Sequence, residues 1–363
     1  MRLTENDIIR RLKEDSDRYA PLKIDSIEEQ VSLSEGYRAD GVVEFSIRDG
    51  AKFKALVEIA PVSTPKNILD KTMLLNDYIK KVESPDMVPM IIAPYIGAKQ
   101  SKILADKGIS WMDLSGNMSI RIANRIYIER TGKPNRFPDT SPIKKIFQGK
   151  SALVSRALLL KPEGFSKLNE IVDFINNRNT NVKISLVSKV LKVLEEELLV
   201  TKKKKHIFVT EPEKLLDRLV DGYRNSTERK SRNIYKCTIG DIGQLSGGIT
   251  GYCKDYLACG FYAAQIKGLA VTEQKSIIVK DIGQFKKIAE EKLVSFAFDS
   301  EFGNYIVTET TDPGVWFNPS FRVIDSVVDD IELYLEMMVD TPRGPKIAEQ
   351  LKQRILRRTG SDE

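Results

Sequence analysis

Residues 184–209 read ISLVSKVLKVLEEELLVTKKKKHIFV, and the architecture of the chain turns on how this stretch divides. Val187, Val190, Leu191, Leu194 and Leu198 recur at the i, i+3, i+4, i+7 spacing of a half-buried helix, with Ser185 placed as its cap. The opposite face carries Ser185, Ser188, Lys189 and Lys192, short hydroxyls and cations that follow Lys183. After Leu199 the chain alternates as a small hairpin, with Lys202, Lys203, Lys204 and Lys205 at its tip and apolar Ile207 and Val209 returning to a core.

Working outward, a helix is expected over Ser151–Leu160 and another over Ser166–Asn177, where Leu168, Ile171, Val172 and Ile175 form an apolar stripe behind a Ser166 cap. Three helices followed by a basic hairpin, over residues 146–212, resemble winged helix-turn-helix domains. That resemblance implies a third helix lying in the major groove of DNA and a wing lying along phosphate or minor groove. The expected DNA-binding residues are Lys183, Ser185, Ser188, Lys189, Lys192, Lys202, Lys203, Lys204 and Lys205, since hydroxyls and lysines are the groups that reach phosphates and base edges.

A chain of 363 residues needs more than one core. Two polar, turn-rich stretches divide it: RTGKPNRFPDTSPIKK at 130–145, broken by Pro134, Pro138 and Pro142, and DGYRNSTERKSRNIYK at 221–236. The expected domains are 1–130, 146–220 and 237–355, all of α/β or α+β class around the central winged helix. No run of 18 apolar residues and no secretory leader is visible, so a cytoplasmic, membrane-free protein is expected. Cys237, Cys253 and Cys259 have neither the number nor the spacing of a disulfide framework or a thiolate zinc site. The single histidine, His206, lies in the lysine run and carries no metal or triad motif. The net charge of +6 is modest, so locally clustered lysines matter more than the total.

In the first domain a helix around Ile8, Ile9 and Leu12 precedes a hairpin of Tyr37–Ile47 and Phe53–Ile59, joined across Arg48, Asp49 and Gly50. A helix at Pro65–Val82, a strand at Met87–Pro94, a short helix at Ala98–Lys107 and strands at Ser110–Ile122 and Ile126–Glu129 follow. Strand alternation puts Glu58 and position 60 on one face, opposite Val57. With Asp40 on the preceding strand, this resembles the PD-(D/E)XK nuclease superfamily, whose Asp and Glu-x-Lys hold Mg²⁺ and activate water. Here Ala60 stands at the lysine position, with Lys66 and Lys71 on the following helix as possible substitutes. The resemblance therefore implies a nuclease-like domain that does not cleave efficiently, with Asp40 and Glu58 as the catalytic and metal candidates. The alternative is a metal-dependent nuclease targeted by the winged helix, and only that alternative calls for Mg²⁺ as a cofactor.

In the last third, Tyr256–Gly268 reads as a small-residue helix, followed by a strand at Ser276–Lys280, a helix at Phe285–Glu291, strands near Ser295–Phe298 and Tyr305–Thr308, and a long helix from Asp329. The runs ACGFYAAQ at 258–265, DPGVWF at 312–317, DDIELYLEMM at 329–338 and TPRGPKIAEQL at 341–351 resemble the C-terminal domain of AbiEi-type antitoxins of type IV toxin-antitoxin systems. ISWMDLSGN at 109–117 is similar to a segment upstream in longer members. The resemblance implies a prokaryotic, sequence-specific transcriptional regulator, an autorepressor whose partners are double-stranded DNA, a nucleotidyltransferase toxin and, as a homodimer, a second copy. Trp316 and Phe317, beside a Pro313–Gly314 turn, are the candidate partner contacts.

Overall fold

The computed structural model describes residues 3–34, 37–47, 50–81, 87–123, 125–137, 145–178, 180–203, 206–242, 245, 256–293, 295–298, 301–317, 320–321, 326–339 and 343–359. The chain divides near residue 141 into two compact units, both mixtures of helix and strand, in keeping with the α/β and α+β class expected. Among the described residues no helix is long and apolar enough to cross a membrane.

The first unit opens with α1 (Glu5–Glu14), where the Thr4 hydroxyl accepts the Asp7 N–H at 3.2 Å and the Asp7 carboxylate accepts the Thr4 N–H at 3.0 Å, a reciprocal cap. Then come β1 (Leu22–Ser34), β2 (Tyr37–Ile47), β3 (Lys52–Ile59), α2 (Pro65–Lys81), β4 (Met87–Ala93), α3 (Ala98–Asp106), β5 (Ser110–Asp113), β6 (Met118–Ile122) and β7 (Ile126–Arg130). The seven strands lie in one sheet in chain order. β1, β2 and β3 are antiparallel, β3, β4 and β5 are parallel, and β5, β6 and β7 are antiparallel again. The two parallel steps require crossovers, which α2 and α3 supply. Alternation sorts the buried side chains into two cores: Phe45, Phe53, Val57, Ile59 and Met112 on the α1 face, and Leu56, Ala60, Ile68, Leu75, Ile91 and Trp111 on the α2 and α3 face.

Two strands of this sheet escape the sequence reading. β1 sits at the sheet edge with Asp25, Glu28 and Glu29 exposed, so its apolar alternation is diluted by the charges that protect an edge. The strand expected over Ser110–Ile122 is two strands, β5 and β6, parted by a turn through Gly116 (φ +92°) whose backbone Asp113 holds by accepting the Asn117 N–H at 2.9 Å. Arg48 and Asp49 of the expected hairpin turn lie outside the described residues.

The second unit starts with α4 (Gly149–Leu160), α5 (Leu168–Asn176), α6 (Ile184–Glu196), β8 (Val200–Lys203) and β9 (His206–Val209). Phe165 exchanges backbone hydrogen bonds with Ile207 at 2.9 and 2.8 Å, tying the α4–α5 connection to the wing. This is the winged helix arrangement. Neither expected serine cap forms: Lys167 precedes α5, and Ser185 lies inside the first turn of α6. Leu198 falls beyond α6 with φ +59°, turning the chain into β8.

The chain continues through α7 (Pro212–Arg224), α8 (Thr227–Lys230), β10 (Asn233–Ile239), β11 (Tyr256–Ala258), α9 (Gly260–Ile266), β12 (Lys275–Val279), α10 (Ile282–Lys292), β13 (Phe296–Phe298), β14 (Tyr305–Glu309), β15 (Ser320–Phe321), β16 (Ser326–Val327), α11 (Asp330–Val339) and α12 (Pro345–Thr359). The sheet order is β13-β10-β14-β12-β11-β16-β15. The stretch 221–236 is no linker: α7 runs into it with Leu216, Leu219, Val220 and Tyr223 buried, and one continuous core links Leu153 and Leu194 to Tyr256 and Leu351. The residues on both sides of this stretch therefore belong to one unit, where the sequence reading placed a boundary.

Two further expectations are corrected. Tyr256–Ala258 is a buried strand rather than the start of a helix, paired with β12 and β16. The long C-terminal helix is two helices, because a Cβ at Gly344 would sit 1.9 Å from the Met337 carbonyl oxygen, so only glycine lets the chain turn back there. In the 130–145 stretch, residues 131–137 carry neither helix nor strand, and 138–144 lie outside the described residues.

Candidate functional site

Helix α6 forms because Val187, Val190, Leu191 and Leu194 bury one face in the core of the second unit. Its start is fixed by Asn176 at the end of α5, whose carboxamide oxygen accepts the Val182 N–H at 2.7 Å while its nitrogen donates to the Val182 carbonyl at 3.3 Å. The face left outward holds Ser185, Ser188, Lys189 and Lys192, all exposed, with exposed Lys183 just before the helix. On the wing, Lys202 and Lys203 are exposed on β8. Lys204 and Lys205 lie outside the described residues. His206 is exposed at the start of β9 and leans on Phe208, their rings 5.3 Å apart, consistent with a residue of the turn rather than a ligand. The sequence reading missed Ile184, the first residue of α6, which is 49% exposed among these cations.

The first unit brings a second set together. Asp40 on β2 and Glu58 on β3 each lie one residue beyond the Gly41–Val57 pair of adjacent strands. The Lys71 Nζ on α2, one of the two candidate lysines, donates to Asp40 Oδ2 at 2.9 Å and to Glu58 Oε2 at 2.6 Å. Asp40 Oδ2 also accepts the Ile59 N–H at 2.7 Å, which fixes that carboxylate at the strand end. Glu58 is 1% exposed, and its buried Oε1 has no hydrogen-bond partner among the described residues. Burial pushes the Glu58 carboxyl up to about 7, against the pull of Lys71 and with some help from the Asp40 charge. Burial also works against the Lys71 ammonium, but the two carboxylates outweigh it and hold its pKa above the ordinary lysine value.

Two hard carboxylates with an unsatisfied buried oxygen suit a Mg²⁺-like cation in donor chemistry. Among the described residues, however, no three His, Cys, Asp or Glu side chains gather as a metal cage. Ala60, fully buried on the same face, leaves Lys71 as the local positive charge.

The interior of the second unit holds a third charged cluster that no sequence signal announced. Arg156 on α4 donates to Glu332 Oε2 on α11 at 2.5 Å and to the Gly314 carbonyl at 2.9 Å. Arg232 reaches Asp312 at 3.3 Å and Glu332 at 3.7 Å. Asp329 accepts the Glu332 N–H at 2.6 Å, and burial raises its carboxyl to about 6 despite Arg156 nearby.

The turn that carries Gly314 also decides the fate of Trp316 and Phe317. They are 5% and 0% exposed, and the Trp316 indole N–H donates to the Thr310 carbonyl at 3.0 Å. The expected partner contacts are therefore core residues: the DPGVWF turn folds inward because its carbonyl and aspartate serve the arginines. Cys237 and Cys259 are buried, and Cys253 lies outside the described residues.

Compared with models of known protein families and with curated proteins, the chain matches none.

Proposed function

We propose that the chain is a sequence-specific DNA-binding regulator of transcription that reads duplex DNA with α6 and grips phosphate with the wing. The observation that carries this reading is the coincidence of Ser185, Ser188, Lys189 and Lys192 on the outward face of α6, just after exposed Lys183, with Lys202 and Lys203 exposed on the wing that follows it. Phosphate contacts supply affinity that falls with salt, and contacts to base edges supply specificity. A homodimer would present two such helices to a two-fold symmetric operator. The AbiEi-type resemblance supports an operator in the protein's own promoter and a nucleotidyltransferase partner, although the turn at 312–317 offers that partner no surface.

The test is a salt series by fluorescence anisotropy on the full chain, with an operator selected from a random library and a scrambled control. Lys202→Ala with Lys203→Ala should flatten the slope of log affinity against log salt by about 0.9 for each phosphate that the wing ceases to neutralise, on both duplexes alike. Ser188→Ala should lower preference for the operator by about 1–3 kcal/mol if it reads a base edge. Wild-type protein with no salt-dependent duplex binding overturns the reading.

One observation favours a second reading, metal-dependent cleavage of DNA. Lys71 lies within 2.9 Å of Asp40 and 2.6 Å of Glu58, so the positive charge that Ala60 does not offer comes from α2. Asp40 and Glu58 would hold Mg²⁺, which when bound neutralises phosphate charge and lowers the pKa of its water. Ile59 N–H keeps the Asp40 carboxylate oriented, and Lys71 offers a proton-bearing cation beside both acids. Mg²⁺- or Mn²⁺-dependent cleavage of plasmid, linear or branched DNA that is lost in Asp40→Ala, Glu58→Ala and Lys71→Ala supports this reading; an inert wild type removes it.

A further inference from the structure

The exposed start of α6 is not wholly polar. Ile184 is its first residue, 49% exposed, between exposed Lys183 and Ser185 and one turn ahead of exposed Ser188. The core row of the helix is Val187, Val190, Leu191 and Leu194; Val187 and Leu191 follow Ile184 by three and seven residues and exposed Ser188 by four, so Ile184 stands at the seam between the buried row and the outward face, with half of its surface exposed. Nor is it loosely held. The Lys183 carbonyl accepts the Leu186 and Val187 N–H groups at 3.0 and 3.3 Å, and the Asn176 clamp on Val182 fixes the turn just before it. A β-branched side chain has few rotamers, so its methyl groups are presented in a defined direction.

An ordered aliphatic group surrounded by lysines and serines needs a partner that is anionic around an apolar spot. DNA offers one such group in the major groove, the C5 methyl of thymine, which is also the feature that distinguishes thymine there besides its O4 acceptor. We infer that Ile184 is a specificity-determining residue that packs on a thymine methyl group, so that the operator carries a required thymine under the start of α6. This rests on the DNA-binding reading above.

The test uses the full chain and the operator selected with wild-type protein, with each thymine in turn replaced by deoxyuridine, which removes the methyl group and leaves base pairing intact. At one thymine the wild-type affinity should fall about 3- to 5-fold, the scale of one buried methyl group. Ile184→Ala should lose a similar factor on the unmodified operator and be insensitive to deoxyuridine at that position. Ile184→Val should retain most of the sensitivity. Binding to the scrambled duplex should be unchanged in all three proteins, and because the residue is exposed, so should thermal stability. Selective wild-type binding that is insensitive to deoxyuridine at every thymine, or a deoxyuridine effect that persists undiminished in Ile184→Ala, overturns the assignment and leaves the DNA-binding reading standing. Absence of duplex binding overturns both, and an Ile184→Ala defect in pull-down of a protein partner would then place the residue on a protein interface.

Discussion

The first unit and the second each bury carboxylates beside cations, and the two clusters are built differently. In the first, Asp40, Glu58 and Lys71 lie at a sheet end where Lys71 and Asp40 keep 20% of their side-chain surface in contact with solvent. In the second, Arg156 and Glu332 keep 4% and 1%. Lysine is a mobile point charge on a flexible stem, whereas arginine presents a planar fork with several fixed donors. The first cluster can therefore exchange its cation or shift a proton within reach of solvent; among the described residues Glu58 Oε1 has no hydrogen-bond partner, and in the second cluster neither Asp329 Oδ2 nor Glu332 Oε1 has one. The second is a strut in which Arg156 on α4 and Arg232, the residue before β10, both reach Glu332 on α11. Burial of charge alone does not mark a site; an opening and a replaceable cation beside it do.

The largest expected effect tests the strut. Arg156→Met leaves Glu332 buried without its closest partner, and breaking such a pair costs about 3–5 kcal/mol. The chain has two tryptophans, Trp111 in the first unit and Trp316 in the second, so urea unfolding followed by fluorescence in a Trp111→Phe background reports on the second unit. Arg156→Met with Glu332→Leu should recover most of the loss, since a well-packed apolar pair can replace a buried ion pair. A loss under about 1 kcal/mol for Arg156→Met, the range of exposed pairs, would erase the contrast between the clusters.

These clusters also mark where the sequence stops being legible. The α6 stripe and the wing could be read because helix and hairpin periodicities are local, and alternation along β3 sufficed to put Glu58 and Ala60 on one face. Lys71 could not be assigned, because its role depends on how α2 docks on the sheet. Arg156 was invisible: it sits in SALVSRALLL, an apolar helix, and its partner Glu332 is 176 residues away. Tyr256–Ala258 was misread because a short run of small and apolar residues has no period that separates strand from helix. Trp316 and Phe317 were misread because turn chemistry locates a turn without saying which way it faces.

The next effect is smaller and falls on the open cluster. Lys71→Met removes charged hydrogen bonds to Asp40 and Glu58 and should destabilise the first unit by about 1–3 kcal/mol at pH 8. The loss should be less at pH 6, because Glu58, already inclined to hold its proton, can neutralise itself there. Trp111 fluorescence in a Trp316→Phe background reads it. A loss independent of pH would mean that Glu58 stays charged and the first cluster is a strut as well.

The smallest effect decides the state of Glu58 itself. Its folded-state pKa of about 7 lies above the ordinary glutamate value of about 4.3, because burial outweighs Lys71. Between those values the folded state holds a proton that the unfolded chain has released. The contribution of this group to stability is therefore fully present below the ordinary value and declines as pH rises through about 7. Glu58→Gln is neutral throughout and carries no such decline, so the stability difference, wild type minus Glu58→Gln, should fall by about 1 kcal/mol between about pH 6.3 and pH 8. Asp329, raised to about 6, contributes the same sign from the second unit, so the measurement must be local. Trp111 serves, since it shares a face with Glu58 and the register runs Glu58, Ile91, Trp111 across β3, β4 and β5. A difference that instead rises with pH would mean that the ion pair with Lys71 overrides burial and Glu58 is a fixed anion. The contrast between the two clusters would then rest on exposure and on Lys71 being a lysine alone.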